Sequence, residues 1–415
     1  MIDIQLIRNN SEKVKESVRK KGYDTGLVDK VLEADKARRE LIVKVDALRK
    51  ERNEIASAEQ RTKDIEQRGR EIKEELKTLE PQLKELEEQF ENALGQIPNL
   101  PSDKAPTGKG EEDNKEVSVW GEPDKAKSKD HLEIGKSLGI IDFEAGSKVT
   151  GSGFYYLKGD GALLELALAQ YGLKFLNERG FTPVITPDLA QKRFYEGTGY
   201  LPKGDEAQTY VVNDNDLGLV ATAEVTLAGY HADEVLNSKE LPKKYAGYSH
   251  CFRMESGAYG KYSKGLYRVH QFSKVEMFAF TKAEESESMH EGFLKLEEEF
   301  WQSLGIPYRV IEMCTGDLGA QAARKFDLEA WMPGRGDYGE ITSTSNTTDY
   351  QARNLNIKYR EGDETKFAHT INGTLVATPR AIIAILENGL QEDGSVVIPE
   401  VLRPYMGKDR ITSSR

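Results

Sequence analysis

The chain has 415 residues, longer than one hydrophobic core usually grows, so two domains are the natural expectation. Its 38% apolar and 31% charged residues, with no apolar run long enough to cross a bilayer, indicate a soluble protein rather than a membrane-spanning one. A net charge of -12 excludes broad adhesion to nucleic acid, which needs clustered Lys and Arg, but leaves room for a local basic strip. The opening MIDIQLIRNN carries neither the cationic start nor the apolar stretch of a secretory signal, so the expected location is cytoplasmic. Cys251 and Cys314 lie far apart with no histidines at ligand spacing, so neither a disulfide framework nor zinc is expected.

From about Leu27 to Leu94 the only proline is Pro81, and apolar residues recur at alternating spacings of three and four. That is coiled-coil periodicity. One stripe reads Leu41, Val45, Leu48 and Ile55, with Arg52 at the remaining seam position; the other reads Ile65, Ile72, Leu76, Leu79, Leu83, Leu86 and Phe90. The stripe lapses between Ile55 and Ile65, which predicts an antiparallel hairpin turning there, each helix roughly 45 Å long at 1.5 Å per residue. Pro81 predicts a kink or break, because proline removes a helical hydrogen bond and clashes with the preceding turn. The distal half gathers Arg49, Lys50, Arg52, Arg61, Lys63, Arg68, Arg70 and Lys73. These are either solvated helix faces or a grip on a phosphate backbone.

IPNLP and the polar run SDKAPTGKGEEDNKE follow, the latter with the composition of a linker. The expected domains are therefore residues 1–103, a linker over 104–116 and a second domain over 117–415. In that domain we expect a helix from Ala162 to Glu178, strands near Thr209 to Val212 and Tyr267 to Phe280, a helix from Ala283 to Leu304 and another after Pro379. Strands in consecutive runs favour an α+β fold on a mainly antiparallel sheet, not a Rossmann fold.

In YRVHQFSKVEMFAF a period of two puts Arg268, His270, Phe272, Lys274 and Glu276 on one face and Val269, Val275 and Met277 on the other. Such a face lines either solvent or a ligand cleft. Polar clusters recur at Cys251 to Glu255, around Glu340 and Ser343, and from Gly373 and Thr374 to Arg380. No phosphate-binding loop of the Walker type, dinucleotide fingerprint or nucleophile elbow is present.

Taken together, MIDIQLIRNN, the hairpin, IPNLP, FTPVITPDL, TAEV, FRMESGAYG, RVHQFSKVEMF, TGDLGAQAARKFDLEAW, EITSTSN and HTINGT resemble the seryl-tRNA synthetases of the class II aminoacyl-tRNA synthetases, in the family's order. The resemblance implies a helical tRNA-binding arm, a six-stranded antiparallel catalytic sheet and a homodimer built partly by FTPVITPDL, with tRNA bound across subunits. It also implies serine activation by ATP and transfer to tRNA(Ser), and extends to tRNA(Sec). Thr222, Ala223, Glu224, Glu276 and Thr374 match the L-serine pocket, with Arg253 also reaching the serine carboxylate. Arg253, Met254, Glu255, Val269, Phe272, Glu340, Ile341, Thr342, Ser343 and Arg380 match the ATP site. Arg253, Glu255 and Arg380 are the implied catalytic residues, and Glu340 and Ser343 the implied ligands of an ATP-bound Mg²⁺. On the arm, Arg49, Arg52, Arg61, Lys63, Arg68 and Arg70 are the expected tRNA contacts.

Leu375 to Pro379 stand where many members carry a glycine-rich run, though Pro379 suits the first turn of a helix. Two rival readings are a relative that loads a carrier protein and an inactive paralogue. The complete arm opposes the first, and the retained arginines and glutamates oppose the second.

Overall fold

A computed structural model describes residues 1–57, 62–126, 128–200, 209–212, 216–255 and 264–413. They form two compact units, Met1–Leu100 and Pro101–Arg415.

The first unit contains α1 (Ile4–Asn9), α2 (Ser11–Lys20), α3 (Gly26–Ser57) and α4 (Lys63–Leu94). The two long helices have 32 residues each, about 48 Å at the usual rise. Val45 and Leu48 of α3 bury against Ile72, Leu76 and Leu83 of α4, with Leu41, Ile55 and Leu79 at the margin, as the three-four spacing requires. Arg52 departs from the expected seam: it is exposed, since a guanidinium held there would lose water without gaining a partner. The expected reversal falls between Ser57 and the N-cap Thr62; residues 58–61, including Arg61, lie outside the described residues.

Pro81 does not break α4, which runs through it. Pro81 and Lys77 are both exposed, so the Lys77 carbonyl that loses its helical donor lies on the solvent side. Several arm cations are engaged by carboxylates. Arg49 pairs with Glu80 across the helices at 3.0 Å, and Arg68 with Glu51 across them at 2.8 Å and with Glu75 at 3.3 Å. Arg70 stands 3.9 Å from Glu66.

At the base of the hairpin the buried Asp35 accepts two hydrogen bonds from Arg8 of α1, at 2.8 and 2.6 Å, and one each from Arg38 and Arg39, at 3.2 and 3.0 Å. Arg38 also lies 4.0 Å over the Phe90 ring of α4. One carboxylate thus ties three helices together.

The second unit is built on an eight-stranded sheet. In chain order its strands are β1 (Lys115–Trp120), β2 (Thr182–Ile185), β3 (Lys243–Phe252), β4 (Gln271–Thr281), β5 (Tyr308–Glu312), β6 (Arg324–Met332), β7 (Asp337–Thr348) and β8 (His369–Ala377). Their spatial order is β1-β5-β6-β7-β8-β4-β3-β2. The six central strands are antiparallel, as the resemblance implies; β1 and β2 extend the edges, and β2 pairs parallel with β3.

Its main helices are α5 (His131–Leu138), α6 (Asp160–Asn177), α7 (Lys192–Thr198), α8 (Glu224–Gly229), α9 (Ser286–Ser303), α10 (Tyr350–Asn354) and α11 (Thr378–Gly389). Two further sequence expectations shift. Residues 209–212 form only a bridge, Val211 to Gly218, rather than a strand, and the strand expected from Tyr267 begins at Gln271.

Alternation along β4 divides the unit's apolar interior. Val275, Met277 and Ala279 enter the larger core with residues of α6, α9 and α11, while Phe278 and Phe280 enter a smaller one with residues of α8. Lys274 and Glu276 share the face of Phe278 and Phe280. Residues 104–116, linker-like in composition, are packed on this unit. Ala105 buries against Ile311 and Met313, and the Thr315 hydroxyl donates to the Gly108 carbonyl at 3.1 Å. A Cβ on Gly108 would sit 2.8 Å from Cys314, so glycine here serves close approach rather than flexibility.

The Asp35 cluster yields a pH-dependent prediction. Burial alone would raise the Asp35 pKa, but Arg8 above all, with Arg39 and Arg38, holds it below the usual aspartate value. A depressed folded-state pKa stabilises above the unfolded value of about 3.9 and is lost as pH falls toward the folded one. Asp35→Asn should therefore destabilise the unit by about 2 kcal/mol at neutral pH. Amide exchange in α1 and α3 should quicken, and that difference from wild type should shrink on acidification.

Candidate active site

The cleft is framed by the end of β3, the start of β4, the middle of β7 and the first turn of α11. Arg253 follows β3; its N-H donates to the His270 carbonyl at 3.0 Å, and His270 Nδ1 lies 2.8 Å from the Arg253 carbonyl. The Arg253 guanidinium sits 5.2 Å over the Phe272 ring and donates to the Ala221 carbonyl at 3.4 Å. Glu255 has φ of +51°, a backbone conformation costly for a residue with a side chain, and accepts from Arg268 at 2.9 Å.

On the opposite wall, Glu340 and Ser343 are three residues apart, a spacing that strict alternation assigns to opposite faces of a strand. A bulge resolves this. Ser343 pairs with Asp327 and Thr342 with Leu328, but Glu340 pairs with Glu329, leaving Ile341 as the extra residue. Since Asp327 and Glu329 share a face of β6, Glu340 and Ser343 share one too. Thr342 points to the other face, where its hydroxyl donates to Glu297 of α9 at 2.9 Å.

Arg380, in the first turn of α11, donates to the Glu340 carbonyl at 2.9 Å, pairs with the Glu340 carboxylate at 3.0 Å and lies 4.8 Å over Tyr267. Burial would raise the Glu340 pKa, but Arg380, Lys325 and Arg253 outweigh it and hold it well below the usual carboxylate range. Burial drives neighbouring Asp327 the other way, with Glu340 adding to the rise against Lys325.

The return into β4 is fixed from behind. The Leu266 N-H donates to His131 Nε2 at 3.2 Å, which assigns the imidazole proton to Nδ1, 2.9 Å from Glu387 of α11.

Deeper in the sheet, Glu276 of β4 faces Thr374 of β8, whose hydroxyl donates to Glu276 Oε2 at 3.3 Å. Glu276 also pairs with Gly247 of β3, where a Cβ would stand 3.1 Å from Ala223, so glycine lets α8 approach. Thr222 and Ala223 are fully buried, and the Thr222 hydroxyl accepts from the Glu224 N-H at 3.2 Å. Glu224 accepts from Tyr200 and Gln351, each at 2.7 Å, and from Asn372 at 2.9 Å. Burial and then the charge of Glu276 push its pKa up to about 7.

All of the expected ATP residues except Met254 line one cleft, joined there by Thr374. Met254 is 41% exposed and outside the lining. Val269, placed on the far face by alternation, lines the cleft because it precedes the strand, where a period of two does not apply. Sequence reasoning gave no role to Tyr267, Arg268, Lys274 or Lys325, nor to the donors Tyr200, Gln351 and Asn372. Of these only Arg268 and Lys274 carried a signal, their place on the Glu276 face.

A family model of the class II tRNA synthetase core domain (G, H, P, S and T) matches residues 209–389, and one of the seryl-tRNA synthetase N-terminal domain matches residues 1–101. The serine--tRNA ligase of Rubrobacter xylanophilus is 51% identical, with 100% of both chains covered. The chain belongs to the seryl-tRNA synthetase family. The serine--tRNA ligase of Dictyoglomus thermophilum is 52% identical over 99% of each chain. The crystal structure of seryl-tRNA synthetase from Pyrococcus horikoshii complexed with ATP superposes with a TM-score of 0.92 at 41% identity, covering 100% of both chains. This synthetase is therefore an ATP-using ligase of the class II type.

Its bulge makes a sharp prediction. Deleting Ile341 leaves Glu340 two residues from Ser343 in regular register with Glu329 and Asp327, so both keep one face and serine-dependent ATP-diphosphate exchange should survive, whereas Glu340→Ala removes the carboxylate and should lower exchange at least about a hundred-fold. The circular dichroism spectrum should stay close to wild type.

Proposed function

We propose that this cleft joins L-serine to ATP as seryl-adenylate and then passes serine to the terminal ribose of tRNA(Ser) and tRNA(Sec). The observation that carries the reading is convergence: two arginines, an aromatic face and a pair of oxygen donors line the cleft that Thr374 joins to Glu276. The serine carboxylate is already a nucleophile at neutral pH, so the first step needs charge neutralisation and alignment more than a general base.

Arg253 holds the α-phosphate and the serine carboxylate, Phe272 supports the adenine, and Arg380 holds the γ-phosphate. The carboxylate oxygen bonds the α-phosphorus as the bond to diphosphate breaks. In the second step a ribose hydroxyl bonds the serine carbonyl carbon, and AMP leaves with the electron pair of the cleaved acyl-phosphate bond.

Glu224 and Glu276 serve the ammonium and hydroxyl of serine, since an ionised carboxylate only accepts hydrogen bonds. Their accepting geometry disfavours alanine, which would leave a buried acceptor unpaired. Threonine is excluded by the shape of the pocket. Glu340 and Ser343 offer hard oxygen donors on one face, a set that fits Mg²⁺, which takes one or two carboxylates and completes its shell with phosphate and water. When bound with ATP it neutralises phosphate charge. Among the described residues no group of three His, Cys, Asp or Glu could hold a metal ion, and none is required for this mode.

Residues 1–103 act as the tRNA-binding domain and 117–415 as the catalytic domain of a cytoplasmic homodimer. Support for the dimer comes from Ile185, 80% exposed on the edge strand β2, and from the exposed Leu163 and Leu166 of α6. Within the arm, Arg52 and Lys63 are exposed and carry no ion pair among the described residues, which favours them as RNA contacts over Arg49 and Arg68. Transfer RNA spans the dimer, its variable arm on one subunit's hairpin.

Two experiments test these roles. Glu276→Ala should reduce serine-dependent exchange by at least about a hundred-fold while ATP binding changes less than about threefold; near-normal exchange would remove Glu276 from the pocket. Because Arg49 and Glu80 are in contact, residues 50–79 can be replaced by a short Gly-Ser turn without disturbing the Asp35 cluster. The shortened arm should leave exchange intact and abolish charging of tRNA(Ser), and normal charging would sink the arm's role.

A further inference from the structure

Lys274 lies two residues before Glu276 and on the same strand face, and its side chain is 6% exposed. Its ammonium stands 2.5 Å from Glu276 Oε2 and donates to Thr374 Oγ1 at 3.2 Å, while the Thr374 hydroxyl reaches the same Oε2 at 3.3 Å. Three buried side chains from two strands form a closed triangle, and Lys274 also lines the cleft beside the ATP residues.

A lysine ammonium only donates. Thr374 Oγ1 therefore accepts from Lys274 and directs its single proton to Glu276, so it has none to offer a substrate. The side-chain contacts of Glu276 among the described residues all fall on Oε2. Oε1 is left for a ligand. The substrate side of Glu276 is thereby reduced to one acceptor in one orientation, which suits a hydroxyl donor and leaves a methyl group facing an unpaired carboxylate oxygen. Charge points the same way, because Glu224 and Glu276 are buried near each other and Lys274 is the cation in contact with Glu276.

We propose that Lys274 is the positioning residue that sets serine selectivity: it locks Glu276 and Thr374 into one donor-acceptor pattern, presenting Glu276 Oε1 to the hydroxyl of the amino acid. The inference rests on the reading of this pocket as the serine subsite.

Serine- and alanine-dependent ATP-diphosphate exchange by the full chain tests it with Lys274→Met, Lys274→Arg and Glu276→Ala. Lys274→Met should raise the serine KM roughly ten- to a hundred-fold and leave the ATP KM within about threefold. It should also lower the serine-over-alanine preference in kcat/KM by at least about tenfold. Lys274→Arg, which keeps a buried cation, should recover at least half of that lost preference on a logarithmic scale.

A merely structural lysine would reduce the serine, alanine and ATP parameters together. That outcome overturns the proposal, as does an unchanged serine KM or an arginine variant no better than methionine. If Lys274→Met does not fold, Lys274→Gln decides by the same loss or retention of preference. Normal exchange in Glu276→Ala would instead show that the serine-subsite reading is wrong, and the inference falls with it.

Discussion

A carboxylate withdrawn from water must find donors or a cation, and the points where this chain meets that demand hold its parts in place. Asp35 collects three arginines and in doing so joins α1 and α3, with Arg38 reaching on to Phe90 of α4. Glu224 collects a phenol and two amides from separate parts of the chain. Glu340, whose side chain keeps 43% of its surface open to the cleft, is held by Arg380 as well, which fixes the first turn of α11 against β7. Each pairing is both a packing device and a way of presenting charge, so the elements that shape the cleft are those that must be correctly docked for its carboxylates to be satisfied.

Much of this is legible in the sequence. The arm announced itself through its apolar spacing, because a two-helix seam admits little besides aliphatic side chains, and the antiparallel sheet through runs of strand-like segments. The site residues were legible in another sense: no physical pattern in a single sequence marks Thr222, a polar cluster only draws the eye to Glu340, and their roles came from the resemblance to a known motif order.

What stayed hidden has local physical causes. A bulge such as Ile341 changes the phase of a strand by one residue, and nothing in EITSTSN says where the phase slips. A second slip at Leu375, between the Thr374-Glu276 and Val376-Val275 pairs, has the same effect on β8. The run over 104–116 reads as a linker because Gly, Pro and Asp suit both mobile chain and chain pressed against a surface; contacts about two hundred residues away, from Ile311 to Thr315, decide between them. The donors around Glu224 stayed hidden because Tyr200, Gln351 and Asn372 are distant from it in sequence.

The continuity of α4 through Pro81 has a mechanical side. A turn lacking one hydrogen bond is the most compliant point of an otherwise regular rod. From Pro81 to Lys63 is about 27 Å of helix, so a flexure of about 10° there swings the far end by about 5 Å. Glu80, next to the proline, is anchored to Arg49 of α3, so the unbroken helix splints its neighbour at the weak turn. The hairpin then behaves as a beam with one softened section braced by a cross-strut, stiff along its length yet able to yield sideways at its far end.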